Sequence, residues 1–187
     1  LRDHQANVYS AVFSPDDQTI ASAGADNKIR LWTREGKVLN VLNGHDSVIW
    51  NLSYSPDGDV LASASSDYTV KLWDQSGQLL STLADHKGPV YALAFSSDGQ
   101  LIATGAADRT VRIWRRDGTL VTKIVDLDKD VLSVAFSPDG QTLATAGWEH
   151  VVRLWTLEGE PLKTLVGHKG WVHDVVYSPD GKTIATA

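Results

Sequence analysis

Residues 45–86 read HDSVIWNLSYSPDGDVLASASSDYTVKLWDQSGQLLSTLADH, and the fold is decided there. The tetrapeptide SPDG starting at Ser55 is a tight reversal, with Pro presetting φ and Gly taking a positive-φ position. Moving outward, the turn returns as SPDD at Ser14, SSDG at Ser96, SPDG at Ser137 and SPDG at Ser178, each 41 residues from the last. Trp73 recurs on the same spacing as Trp32, Trp114 and Trp155. A fixed period of this length marks a repeat architecture, and 187 residues hold about four and a half units.

Each unit predicts four short strands, because β-branched and aromatic residues alternate between turn signals. The first strand holds Val8, Ala11 and Phe13, then Ile49, Leu52 and Tyr54, then Val90, Leu93 and Phe95. A step of three followed by a step of two predicts a one-residue bulge if all three face one core. The second strand runs through Ile20 and Ser22, a turn carries Asp26, and the third strand contains Ile29, Leu31 and Trp32. Gly36 opens a fourth strand ending near Leu42, and Gly77, Gly118 and Gly159 occupy the same column. Four strands per 41 residues make one propeller blade. The predicted fold is all-β, with blade units at roughly 1–42, 43–83, 84–124 and 125–165 and a partial unit at 166–187.

The repeated columns are Gly-His or Asp-His before the first strand, Ser or Thr on the second, Asp in the next turn and Trp on the third. Over essentially the whole chain they closely resemble the WD-repeat β-propeller family. The dipeptide behind that name occurs only at Trp73-Asp74; Thr33, Arg115 and Thr156 follow the other three tryptophans of that column. The repeats are similar to those that bacteria, cyanobacteria in particular, attach to larger signalling or nucleotide-switch proteins.

His, Ser and Asp within one unit invite a nucleophilic-triad reading. The sets are His4, Ser22, Asp26; His45, Ser63, Asp67; and His86, Thr104, Asp108. Their recurrence argues against catalysis, since an active site is normally built once, and each set comes with a Trp (Trp32, Trp73, Trp114) whose indole N–H needs an acceptor when buried. The resemblance implies a structural tetrad, running from indole to hydroxyl to imidazole to carboxylate. In the fourth unit Thr145 and Trp155 remain, but Leu127 stands in the His column and Glu149 in the Asp column, so this blade is expected to be the loosest.

Three tryptophans fall outside the blade column: Trp50, Trp148 and Trp171. Trp50 shares a column with Tyr9, Tyr91, Leu132 and His173. Two residues earlier stand Asn7, Val48, Pro89, Asp130 and Trp171, and the residue before the turn carboxylate is Ala25, Ser66, Ala107 or Trp148. These columns vary in size and polarity, as solvent or a partner permits and a repeated core does not. The resemblance places them at the rim of the central channel on one face. Exposed aromatics are enriched at interface hot spots, so the expected partner-binding face is Tyr9, Val48, Trp50, Pro89, Tyr91, Leu132, Trp148, Trp171 and His173. The alternative is that some of them pack across blades as extra core.

A net charge of −6 gives no basic footprint for nucleic acid. There is neither an apolar run long enough for a membrane helix nor a signal peptide, and a cytoplasmic setting is expected. Zero Cys removes disulfides and thiolate metal sites. Asp126, Asp128 and Asp130 alternate like cation ligands, but Val131 and Ser137 stand where a calcium loop needs Gly and Glu, so a solvated acidic loop is expected. Asn51-Leu52-Ser53 matches a glycosylation sequon by chance inside a predicted strand. No motif for a cofactor, a phosphate or a nucleophile elbow is present, so no cofactor and no enzyme activity are expected.

The expected function is a protein-interaction scaffold or sensor module presenting an aromatic-rich face to a protein or peptide. The alternative is an engineered or excised fragment that self-assembles to complete its ring, with no natural ligand. Leu1 to His4 reads as the tail of a fourth strand, and the chain stops on the second strand of a fifth unit at Ala187. Completion is therefore expected from further blades of a longer parent chain or from a second copy as a homo-oligomer, and zero Met behind a first residue of Leu1 points to such a parent.

Overall fold

The computed structural model describes residues 3–125 and 127–187; Leu1 and Asp126, to which two of the expectations above refer, lie outside them. Eighteen strands and no helix occur among the described residues. Blade one consists of β1 (Val8–Phe13), β2 (Thr19–Gly24), β3 (Ile29–Thr33) and β4 (Val38–Leu42). Blade two holds β5 (Ile49–Tyr54), β6 (Val60–Ser65), β7 (Val70–Asp74) and β8 (Leu79–Leu83). Blade three holds β9 (Val90–Phe95), β10 (Leu101–Ala106), β11 (Val111–Arg115) and β12 (Leu120–Ile124). Blade four holds β13 (Val131–Phe136), β14 (Thr142–Gly147), β15 (Val151–Thr156) and β16 (Pro161–Val166). Blade five is the pair β17 (Val175–Tyr177) and β18 (Ile184–Thr186).

Each complete blade is an antiparallel meander in which neighbours in sequence are neighbours in the sheet. The bulge falls where the three-then-two spacing put it, with register shifts between Val8 and Ser10 and between Ile49 and Asn51. The turns close as their sequence dictates. Ser55 Oγ donates to Asp57 Oδ1 at 2.6 Å and accepts from Val60 N at 3.0 Å, while Gly58 sits at φ +78°. Asp17 holds the same left-handed conformation in the SPDD turn, at φ +57°.

The first strands of successive blades lie side by side, β1 against β5, β5 against β9, β9 against β13 and β13 against β17, so they line the inside of an arc. The core lies between blades rather than within any one of them. Ala21, Ala23 and Leu31 of blade one pack on Leu52, Leu61 and Trp73 of blade two. Ala103 and Ile113 of blade three meet Val134, Leu143 and Trp155 of blade four in the same way. Alanines in the second strands let the sheets approach closely, and each blade tryptophan fills the space they leave.

One expectation needs correcting. The condition that Val8, Ala11 and Phe13 all face a core is not met in blade one: Val8 is 47% and Phe13 57% exposed, whereas Ile49 in the Val8 column is 1% exposed. Burial of a first strand is supplied by the blade before it, as blade one covers Ile49, and no preceding blade packs on β1 among the described residues. The described blades form an unclosed ring. Asn51 lies within β5, half-buried, with its amide directed to the Tyr91 carbonyl.

Candidate functional site

The repeated His–hydroxyl–Asp sets can be judged on geometry. In blade two, Trp73 Nε1 donates to Ser63 Oγ at 2.9 Å, Ser63 Oγ lies 2.7 Å from His45 Nε2, and His45 Nδ1 lies 2.7 Å from Asp67 Oδ2. A carboxylate accepts only, so Nδ1–H donates to it and Nε2 accepts the hydrogen bond of the Ser63 O–H. Asp67 also accepts the Asp46 backbone N–H at 3.1 Å and the Thr69 hydroxyl at 2.6 Å. Burial pushes the Asp67 carboxyl up, but hydrogen bonds from His45 and Thr69 carry it net well below the usual carboxylate range. Ser63 is wholly buried and already accepts an indole proton, so this hydroxyl is not offered to a substrate.

Blades one and three add a residue that the sequence reading did not single out. Arg30 and Arg112 stand four positions after the turn carboxylates, and their Nη1 atoms donate to Asp26 at 2.7 Å and Asp108 at 3.0 Å. Their Nε atoms donate to Asp3 and Asp85 at 2.8 and 2.7 Å. Each guanidinium lies against the imidazole: Arg30 Nη1 is 2.9 Å from His4 Nδ1, and Arg112 Nη1 is in contact with His86 Nδ1 and Thr110 Oγ1. His4 Nε2 meets Ser22 Oγ at 2.7 Å, and His86 Nε2 meets Thr104 Oγ1 at 2.8 Å. Trp32 and Trp114 donate to those hydroxyls at 2.7 and 3.0 Å.

Blade four keeps both ends of the network without its middle. Trp155 Nε1 donates to Thr145 Oγ1 at 2.9 Å, and Glu149 accepts the Asp128 backbone N–H at 2.7 Å and Arg153 Nε at 2.7 Å. Leu127 is buried where an imidazole stands elsewhere, beside a cavity of about 10 Å³ lined by Thr145, Glu149 and Arg153. Blade five begins a further set, with His168 Nε2 2.6 Å from Thr186 Oγ1. The offset of 18 residues matches His45–Ser63, a signal that was readable in the sequence.

The aromatic columns come together at the end of the blades where the first strands begin, but as two clusters. Tyr9 and Trp50 have ring centroids 4.7 Å apart, and Trp50 and Tyr91 meet edge-on at 5.6 Å, a contact spanning three blades. Trp148 stacks on Trp171 at 5.0 Å, and Trp171 meets His173 at 6.1 Å across blades four and five. Leu132, the one apolar non-aromatic member of its column, falls between the two groups in repeat order. Val48 and Pro89 are half-buried beside the first cluster, whereas Tyr9, Trp148, Trp171 and His173 are exposed. Trp50 Nε1 donates to Ser66 Oγ at 2.6 Å, which fixes the indole plane.

Asp130 is half-buried on the same rim and its carboxyl is raised by burial. Tyr91 is raised too, first by burial and then by the Asp130 charge. A further exposed column, Tyr68, Arg109 and His150, is held at φ +72°, +59° and +62° in the second-to-third-strand turns. No group of three or more His, Asp or Glu side chains is placed to hold a metal among the described residues. No helix there is long and apolar enough to cross a membrane.

Blades of four antiparallel strands, each with an indole–hydroxyl bond that blades one to three extend through an imidazole to a carboxylate, joined through their first strands, define a WD-type propeller repeat. The family model for the WD domain, G-beta repeat, matches residues 1–33, 36–74, 77–115, 118–156 and 159–187. The chain belongs to the WD40 repeat family. Repeats of this family are generally protein-interaction scaffolds without catalytic activity.

Proposed function

We propose that this chain binds a protein or peptide partner across the blade ends that carry Trp50, Tyr91, Trp148 and Trp171. The observation behind this reading is the pair of cross-blade aromatic clusters, one of which is centred on Trp171 at 55% exposure. Such rings bury much area on docking at small cost in rotamer entropy. In this reading the module works in a bacterial cytoplasm as part of a larger signalling or nucleotide-switch protein; the resemblance of its repeats supports the attachment. A peptide selected on the wild-type chain should lose about tenfold or more in affinity to Trp171→Ala. The melting temperature should fall only slightly, because the ring is more than half exposed and loses mainly its stacking on Trp148. Unchanged affinity in both Trp171→Ala and Trp50→Ala would remove the face from consideration.

A second reading is favoured by the uncovered apolar flank at Val8 and Phe13 and by the two-stranded blade five. Exposed sheet faces and edges invite pairing, so a second copy, or further blades of a longer parent chain, covers them. Sedimentation separates the versions: a dimer or larger species supports completion in trans, and a stable 20.3 kDa monomer with both flanks protected from exchange contradicts both.

A further inference from the structure

Because the blades share one plan, their seams can be compared position by position. At the end opposite the aromatic clusters, the first-to-second-strand turn of one blade meets the third-to-fourth-strand turn of the next. Between blades two and three, Arg116 Nη1 donates to Asp57 Oδ2 at 2.5 Å across the seam, with Asp59 at 3.9 Å. Between blades three and four the same position is Leu157, which packs into the apolar cluster with Leu101 and Phe136. Between blades one and two it is Gln75, whose amide turns instead to Asp59 of its own blade at 3.1 Å. A cavity of about 430 Å³ opens at this seam.

The cavity has two chemical parts. Leu31, Tyr54 and Leu61 supply apolar surface, and Asp16, Asp57 and Asp74 supply carboxylates. The carboxylates are fixed within their own turns: Asp16 accepts from Ser14 Oγ at 2.5 Å and Gln18 N at 3.0 Å, and Asp74 from Ser76 Oγ at 2.7 Å and Gln78 N at 2.8 Å. Those bonds use Oδ1 of Asp16 and Asp74 and leave each Oδ2 without a hydrogen-bond donor among the described residues. An apolar wall beside unpaired, oriented carboxylates is complementary to a long aliphatic stem ending in a cation. A planar guanidinium satisfies two acceptors at once and stacks on a phenol ring, which an ammonium does less well.

We propose that the seam between blades one and two is a second binding pocket, which takes an arginine side chain of a partner polypeptide. Leu31, Tyr54 and Leu61 hold its stem, and the guanidinium lies between Asp16 and Asp74. The chain supplies its own precedent, since Arg116 fills the equivalent seam and pairs with the equivalent carboxylate, Asp57. The pocket lies at the opposite end of the strands from the aromatic clusters, with Trp50 and Tyr54 four residues apart on β5, roughly 13 Å, so the two sites stand or fall separately.

The test is an NMR titration of the ¹⁵N-labelled full chain with N-acetyl-argininamide, using the neutral isostere N-acetyl-citrullinamide as control. Shifts are expected in the amides of Asp16, Gly58 and Asp74 to Ser76, with the citrulline probe about tenfold weaker. Asp16→Asn combined with Asp74→Asn should weaken the arginine probe by a similar factor, and Gln75→Arg, filling the seam from within, should abolish binding. Any one of three results overturns the proposal: equal binding of both probes, shifts absent or confined to other residues, or unchanged binding by Gln75→Arg.

Discussion

Blades three and four are the same scaffold with different fasteners. In blade three His86 is clasped between Thr104 and Asp108, and Arg112, 1% exposed at its side chain, closes the network from behind. In blade four the imidazole is gone, yet the indole–hydroxyl bond and the carboxylate–guanidinium bond survive at 2.9 and 2.7 Å. Leu127 fills most of the gap, and the residual cavity of about 10 Å³ is roughly that of one water. The imidazole is therefore a bridge between two bonds that each stand without it. That the outer bonds keep their places where leucine replaces the central base is what a fastener between strands requires.

The largest expected effect tests whether the carboxylate matters more where the network is whole. Asp108→Ala leaves the buried His86 imidazole without its acceptor and strips the buried Arg112 Nη1 of one, Asp85 remaining on Nε, and should cost about 3 kcal/mol. Glu149→Ala should cost about 1 kcal/mol, because Arg153 is already 31% exposed and rehydrates. Urea denaturation followed by tryptophan fluorescence reads both, and equal losses would break the distinction between the blades.

Acid should sharpen it. Burial holds His86 below its ordinary value of 6.5, with Asp108 opposing and Arg112 assisting. Burial alone would raise Asp108, but hydrogen bonds from His86, Thr110 and Lys87 N–H take it well below 3.8. Both groups have a folded pKa under the unfolded one, so the stability they contribute is complete above the unfolded value and lost as pH falls. The imidazole share begins to go below 6.5 and the carboxylate share below 3.8. Amide exchange measured on descent through that window should show a larger loss of protection in β9–β12 than in β13–β16, which has no imidazole to charge.

A smaller effect comes from the turns. Pro15, Pro56 and Pro138 lie over Gly58, Gly99 and Gly181 of the following blade, whereas Gly140 faces open space because Ser97 stands in the proline column. Ser97→Pro should stabilise by about 0.5 kcal/mol, through the unfolded state and the restored contact. A loss on thermal melting would mean that this turn is not equivalent to the other four.

Much of this was legible in the sequence because a repeat reads itself five times. The SPDG turns, the bulge and the tetrad columns each recur at one spacing, so no single ambiguous residue decided anything. Burial across blades was not legible. Val8 and Ile49 share a pattern, and only a preceding blade separates an exposed side chain from a core one. Arg30 and Arg112 were passed over because arginine on a strand usually points to solvent, and its capture by a carboxylate four residues back depends on hairpin geometry. The aromatic columns were found, but their division into two clusters follows from how neighbouring blades turn their side chains. The seam cavity depends on which way the Gln75 amide turns, which spacing does not specify.

The account turns on the imidazole being a mechanical link, and two protons report on it directly. Trp114 Nε1–H donates to a threonine hydroxyl held by His86, and Trp155 Nε1–H donates to a threonine with no imidazole behind it. Solvent exchange of these indole protons, followed by NMR in the intact chain, should be about tenfold or more faster at Trp155 than at Trp114, the equivalent of one lost hydrogen bond of roughly 1.4 kcal/mol. Exchange at Trp155 as slow as at Trp114, or slower, would contradict it.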